Sequence, residues 1–194
     1  MKKQLITLSL GLLTTATFGQ TTWNADKSHS KITFSATHMV ISETEGEFKD
    51  YAGSISTKDG SFENADIKFD IDINSITTDN DQRDGHLKSG DFFNAEKYPK
   101  MKFTSTSFKQ VKGKNWELLG NLTIKDITKP ITLDVKYNGT IKDPYGNTRA
   151  GFKIKGDLNR FDYDLKWSSA LETGGLVVGE EVGIEINLEL IQAK

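Results

Sequence analysis

The 194-residue chain carries 25 Lys and Arg against 27 Asp and Glu, a formal net charge of −2, and no cysteine. Near-balanced charge excludes the basic footprint that nucleic-acid binding needs. The absence of cysteine excludes disulfides, thiolate metal sites and cysteine nucleophiles, so burial must supply the stability.

The N-terminus reads as a secretory signal. Lys2 and Lys3 make a basic start, Leu5 to Leu13 an apolar run, and Thr17-Phe18-Gly19 places small residues where a signal peptidase reads. Residues 1–19 are set aside as a signal peptide cut before Gln20. Residues 20–194 remain as one domain, about 175 residues, enough for a real core. The apolar run is short for a membrane span, and no later stretch matches it, so no transmembrane anchor is expected. The predicted location is periplasmic or secreted.

Period two dominates the rest. KITFSATHMV (31–40) puts Ile32, Phe34, Ala36 and His38 on one face. GEFKDYAGSIST (46–57) is less regular. ADIKFDIDIN (65–74) places Ile67, Phe69, Ile71 and Ile73 inward, with Lys68, Asp70 and Asp72 outward. The segment Gln82 to Phe92 has room for about two helical turns, with Asp81 as cap, Asp84 near the positive end of the dipole and Gly90 as stop. MKFTSTSF (101–108) and WELLGNLTI (116–124) follow. ITLDVKYNGTI (131–141) turns Ile131, Leu133, Val135 and Tyr137 inward, with Pro130 at the strand's start. AGFKIKGDL (150–158) turns in Phe152, Ile154 and Leu158. Residues 160–168 have room for a short turn, and SSALETGGLVVG (168–179) reads as a mobile, partly apolar loop ending in Leu176-Val177-Val178. EVGIEINLEL (181–190) closes the series. About eight strands joined by turn signals such as Asp59-Gly60 and Tyr145-Gly146-Asn147 predict an all-β antiparallel sandwich or closed barrel.

One stretch invites chemistry. NDQRDGHLKSGDFFNAEKYP (80–99) holds Asp84, His86 and Ser89. On a helix, i and i+2 point about 200° apart, so Asp84 does not orient His86, and no nucleophile elbow or oxyanion loop accompanies them. An EF-hand register starting at Asp79 fails, with Arg83 at the fifth position and Gly90 in place of the twelfth-position Glu. His29, His38 and His86 lack ligand spacing, so no metal is expected. The bland reading is architectural: Arg83 and Asp84 bond neighbouring backbone and cover a barrel end, while Leu87, Phe92 and Phe93 plug inward. His38, alone on an apolar face, is either a satisfied core residue or the group that fixes a ligand's polar end.

Strand parity marks the candidate wall of an interior site. Its members are Phe34, Ala36 and His38; Phe69 and Ile71; Met101 and Phe103; Trp116 and Leu118. Leu133 and Val135, Phe152 and Ile154, and Ile184 and Ile186 complete it. Leu176 and Val178 are candidates for a flexible lip, and Arg83, His86 and Arg160 for contacts to a polar head group. Eight strands sit at the boundary between a barrel filled by side chains and one that holds a small ligand. Composition leaves both open.

Several motifs in order carry a resemblance: Trp23, Asp26 and His29-Ser30, then Phe34 and His38, Gly46-Glu47-Phe48, RDGHLKSGDFFNAEKYP (83–99), GNLTIKDITKPI (120–131), Asn159-Arg160 and VGEEVGIEI near the end. The chain resembles the YceI-like family, bacterial lipocalin-like polyisoprenoid-binding proteins. The resemblance implies an extended eight-stranded antiparallel β-barrel with one or two short helices, periplasmic or secreted, often dimeric. It implies an apolar tunnel for an isoprenoid chain, a quinone tail, a polyprenyl phosphate or another long amphiphile, with no enzymatic reaction and no cofactor beyond that cargo. One position departs from the pattern. In Phe161-Asp162-Tyr163-Asp164, Asp164 stands where the family often has Gly. Two other classes of function compete. An enzyme or isomerase acting on bound lipid would have His38, His86 and Arg160 as its polar players, and a purely structural exported barrel would have a filled core.

Overall fold

The computed structural model describes residues 19–58, 60–172 and 174–194. All but Gly19 of the expected signal segment lies outside the described residues, as does Asp59 of the expected Asp59-Gly60 turn.

Eleven strand segments form one antiparallel sheet. In chain order they are β1 (Thr21–Ala25), β2 (Lys31–His38), β3 (Ser42–Phe48), β4 (Tyr51–Lys58), β5 (Ser61–Asp72), β6 (Ile76–Thr77), β7 (Lys100–Lys112), β8 (Asn115–Ile124), β9 (Ile127–Lys142), β10 (Thr148–Asn159) and β11 (Val178–Gln192). Six of them pair up as three bent staves. β4 pairs with β1 while β3 pairs with β2, and β5 pairs with β4 while β6 pairs with β3. β11 closes the ring, with Leu190–Gln192 against β1 and Val178–Asn187 against β2. The result is a closed eight-stranded barrel.

The period-two runs lie where expected, with two additions. β1 reads TTWNA, with only Trp23 and the small Ala25 apolar, too little for a pattern. β9 starts at Ile127, so Pro130 lies inside a strand. It sits opposite Asn121 of β8, in the part of β9 beyond the reach of β10, whose pairing stops at Asp134. Its missing N–H therefore costs no ladder bond on that free side.

Inward side chains divide the barrel into two zones. At the end where β7–β8 and β9–β10 turn, Trp23, Phe62, Phe108, Trp116, Tyr137 and Phe152 pack ring on ring. Trp23 and Phe62 are 5.1 Å apart, Phe108 and Trp116 4.9 Å, and Tyr137 and Phe152 5.1 Å. These rings make a solid floor. The opposite end is covered by helix α1 (Asp81–Lys88), a 3-10 turn (Arg160–Tyr163) and the segment that leads to β11.

The cap of α1 is Asn80, not Asp81: its side chain accepts from the Arg83 N–H at 3.0 Å. The helix ends at Lys88 with Ser89 as C-cap, one residue before Gly90. Asp84 is buried and accepts from the Thr78 N–H at 2.8 Å and its hydroxyl at 2.6 Å. Arg83 donates to the same hydroxyl at 2.7 Å and to the Thr78 carbonyl at 2.8 Å. Both residues thus tie the helix to the end of β6. After the 3-10 turn, Asp164 has φ +56°, the left-handed conformation that favours glycine. Asp tolerates it better than most residues, so the turn survives the departure noted in the sequence.

Candidate functional site

Above the aromatic floor the barrel holds a cavity of ≈ 190 Å³. One water needs roughly 10–15 Å³, so this is more than a packing gap. Its lining is apolar almost throughout, with Phe34, Ile71, Met101, Val135, Ile154 and Ile184 among its members. Water has no partners there, so the space suits hydrocarbon.

Three close contacts explain the room. Gly46, Gly53 and Gly120 occupy positions where an added Cβ would lie 2.3 Å, 2.2 Å and 2.3 Å from the nearest ring carbon of Phe34, Phe69 and Phe103 respectively. Each glycine leaves a notch, and each ring folds back into it. Three large side chains thereby line the lumen without filling it.

A vestibule of ≈ 360 Å³ beside α1 adjoins the cavity, and Phe34, Ala36, Leu87, Phe92 and Val178 line both. The vestibule adds Thr37, His38, Thr44, Thr78, Asn80, Gln82, Arg83, His86 and Trp167. Among the described residues, no carboxylate lines it. The arrangement is a narrow apolar tunnel below a mouth rich in hydrogen-bond donors.

Most expected wall residues meet in this tunnel: Phe34, Ala36, Phe69, Ile71, Met101, Phe103, Leu118, Leu133, Val135, Phe152, Ile154, Ile184, Ile186 and, at the mouth, Val178. Three lie elsewhere. Trp116 belongs to the floor, against Phe108 and Tyr137. His38 is at the rim and lines the vestibule. Leu176 bridges to Ala170 within its own loop and lines neither space. Phe108 is a wall residue that strand parity misses. The register between β7 and β8 shifts between Ser105 and Ser107, and this bulge brings Phe108 onto the same side as Phe103.

Of the polar candidates, Arg83 and His86 line the vestibule. His86 Nε2 lies 3.0 Å from Asp91, and Ser89 donates to the His86 carbonyl at 2.8 Å, so Asp84, His86 and Ser89 do not assemble as a triad. Arg160 is 3% exposed and touches the cavity. Its guanidinium donates to the carbonyls of Leu165, Trp167 (2.8 Å), Val178 (3.0 Å) and Gly179 (2.8 Å), and stacks 4.6 Å from the Phe161 ring centroid. Burial pulls its pKa down from the ordinary guanidinium value, with the Glu180 charge opposing. It clips both ends of the 165–179 segment to the barrel. Among the described residues one group, Asp26, His29 and Glu189, gathers metal-type donor atoms within 4.8 Å. Arg149 already supplies the cation, 2.7 Å from Asp26 and 2.5 Å from Glu189, and the group lines neither cavity nor vestibule.

A closed antiparallel barrel around an apolar tunnel, open at one end, defines a lipocalin-like barrel. The model of the YceI-like domain matches residues 23–190, and the chain belongs to that family. UPF0312 proteins of Staphylococcus aureus are 35% identical over 170 residues, covering 87% of this chain and 96% of theirs. The Campylobacter jejuni YCEI protein superposes with a TM-score of 0.71 at 31% identity, covering 81% of this chain and 90% of that one. Two more distant structures share the fold. Burkholderia cenocepacia BcnA has a TM-score of 0.74 at 21% identity, covering 85% of this chain and 98% of its own. A polyisoprenoid binding domain from Saccharophagus degradans has a TM-score of 0.65 at 17% identity, covering 88% and 98%.

Proposed function

We propose that the protein is an exported carrier or scavenger that holds one long amphiphile, an isoprenoid or similar chain, with its tail in the tunnel. The observation that carries this reading is an apolar cavity that adjoins a donor-lined vestibule. Each methylene moved from water into such a lining contributes ~0.8 kcal/mol, so a long tail binds tightly with little polar recognition. The head group sits in the vestibule, where Arg83, His86 and His38 favour an acceptor-rich group such as a quinone carbonyl or a phosphate. Binding is favoured over catalysis because, among the described residues, Arg160 is the one titratable group on the tunnel wall, and the carbonyls of its neighbours engage it. The Saccharophagus degradans domain that shares this fold is polyisoprenoid binding, in agreement with the ligand class. Export rests on Lys2, Lys3 and the apolar run Leu5 to Leu13.

The test is solvent extraction of protein purified from its host's envelope fraction, followed by mass spectrometry. A stoichiometric long-chain amphiphile is expected. A clean extract that stays clean after incubation with prenylquinones and polyprenyl phosphates overturns the reading.

A further inference from the structure

The β2–β3 hairpin ends in Met39, Val40 and Ile41, which are 42%, 63% and 86% exposed. Single exposed apolar residues are ordinary; three in a row at one tip are not. The other large exposed hydrophobics, Val111, Ile141 and Tyr145, lie toward the floor end. The backbone makes the tip stranger. Met39 has φ +51° and Val40 φ +66°, and the Ile41 N–H closes the turn on the His38 carbonyl at 3.2 Å. A type I′ turn, with both central residues left-handed, normally holds Asn-Gly. A β-branched valine there is a steric outlier. The tip therefore bears two costs, strain and exposed apolar surface.

The position supplies the reason. The Met39 N–H donates to the Val177 carbonyl at 2.9 Å, and His38 pairs with Val178. Val177 and Val178 line the vestibule, and Val178, Ala36 and Phe34 carry the apolar surface down into the tunnel. The tip thus stands beside the vestibule, at the outer end of the wall whose apolar residues lead into the tunnel. We propose that this tip is a membrane-docking element that seats the tunnel mouth on a neutral or zwitterionic lipid surface. The purpose rests on the lipid-binding reading; the surface itself does not. A second copy of the chain seated there would seal the mouth from the source of its cargo, whereas a bilayer extends the apolar path. The tip carries no charge, and Glu43, Glu45, Glu180 and Glu181 flank it, so anionic lipid gives no added attraction.

Two readouts separate this proposal from the cargo reading. Co-sedimentation of the cargo-free protein with phosphatidylcholine vesicles, with and without phosphatidylglycerol, reports docking. Binding of a dansylated farnesyl probe without vesicles reports the tunnel. The variants are Met39→Asn with Val40→Gly, which supplies the favoured turn pair, and Ile41→Ser. Each large aliphatic side chain removed lowers vesicle partitioning by roughly tenfold. The Asn-Gly variant should melt no lower than wild type, and both should bind the probe unchanged. Wild-type protein that never sediments, variants that sediment equally, or binding that needs phosphatidylglycerol overturns the proposal. So does a wild-type dimer that the variants dissociate, which would make the tip a contact between copies. Loss of probe binding in wild type would instead overturn the cargo reading.

Discussion

Substituting Gly46 by Ala should narrow the tunnel by moving another residue. The new Cβ would stand 2.3 Å from Phe34 Cζ and 2.8 Å from Thr78 Cγ2. Carbon atoms rest roughly 3.5–4.0 Å apart, so the ring must retreat by about 1.2–1.7 Å. The wall blocks one side, and the lumen is the open direction. Overpacking costs about 1–3 kcal/mol, and restricting the unfolded chain returns about 0.4–1 kcal/mol. A net loss near ~1 kcal/mol lowers the melting temperature by about 2–4 °C. The effect on binding is larger. Phe34 lines both tunnel and vestibule, so its displaced ring stands in the neck. If it keeps three methylenes of a tail in water, affinity falls by about 2.4 kcal/mol, roughly 50-fold. Displacement of a fluorescent long-chain probe from the purified protein measures this, with a thermal melt of each variant alongside. Phe34→Leu in the Gly46→Ala background should restore most of the affinity, because the smaller side chain need not enter the neck. Unchanged affinity in Gly46→Ala, or no restoration in the double variant, refutes the argument that glycine notches keep the tunnel open.

Arg160→Gln strips partners from four carbonyls at the base of the 165–179 segment. It should cost about 3 kcal/mol or more and expose that segment to limited proteolysis; an unchanged digestion pattern would show that the clip is dispensable. Asp84→Asn tests the helix anchor. Burial raises the Asp84 carboxyl's pKa, but the Thr78 hydroxyl and N–H more than offset this and hold it below the ordinary carboxylate value. A depressed folded pKa gives stability that is present above the unfolded value, about 3.9, and lost as pH falls through the folded one. The Asn variant should be weaker by about 1–2 kcal/mol at pH 7, and denaturant melts should show the gap closing below about pH 4. A gap that widens with acid contradicts this. At the mouth, Val178→Asp puts a carboxylate on the apolar path and should weaken probe binding by tenfold or more, whereas Leu176→Asp should change it by less than about twofold. Equal losses in the same displacement assay would mean that the whole loop, not the β11 end of it, borders the tunnel.

How far the sequence reveals this architecture depends on what kind of information each feature needs. Strand identity is local, so the runs at 65–74 and 131–137 announce both their conformation and their inward face. Parity, however, specifies a face and not a height along the barrel. Trp116 and Leu118 share a face, yet one lies in the floor and the other on the tunnel wall. Parity also fails at a bulge, which hides Phe108. β1 is invisible because five residues with one tryptophan carry no period. Asn80 and Asp81 are both good caps by composition, and only geometry chooses between them.

The choice between filled core and open tunnel is the least legible feature. The inward residues are mostly large, which by composition argues for a filled core. Space arises instead from what lies beside them. Gly46 faces Phe34 across β2–β3 and Gly53 faces Phe69 across β4–β5, while Gly120 sits diagonally from Phe103 across β7–β8. Each pairing joins residues from different strands, and a one-residue slip of register would abolish it by turning the glycine outward. Volume in this barrel is therefore set by register, a long-range property. A glycine that looks like a weak point in a strand becomes, once its neighbour is known, the reason a large aromatic can line a cavity without closing it.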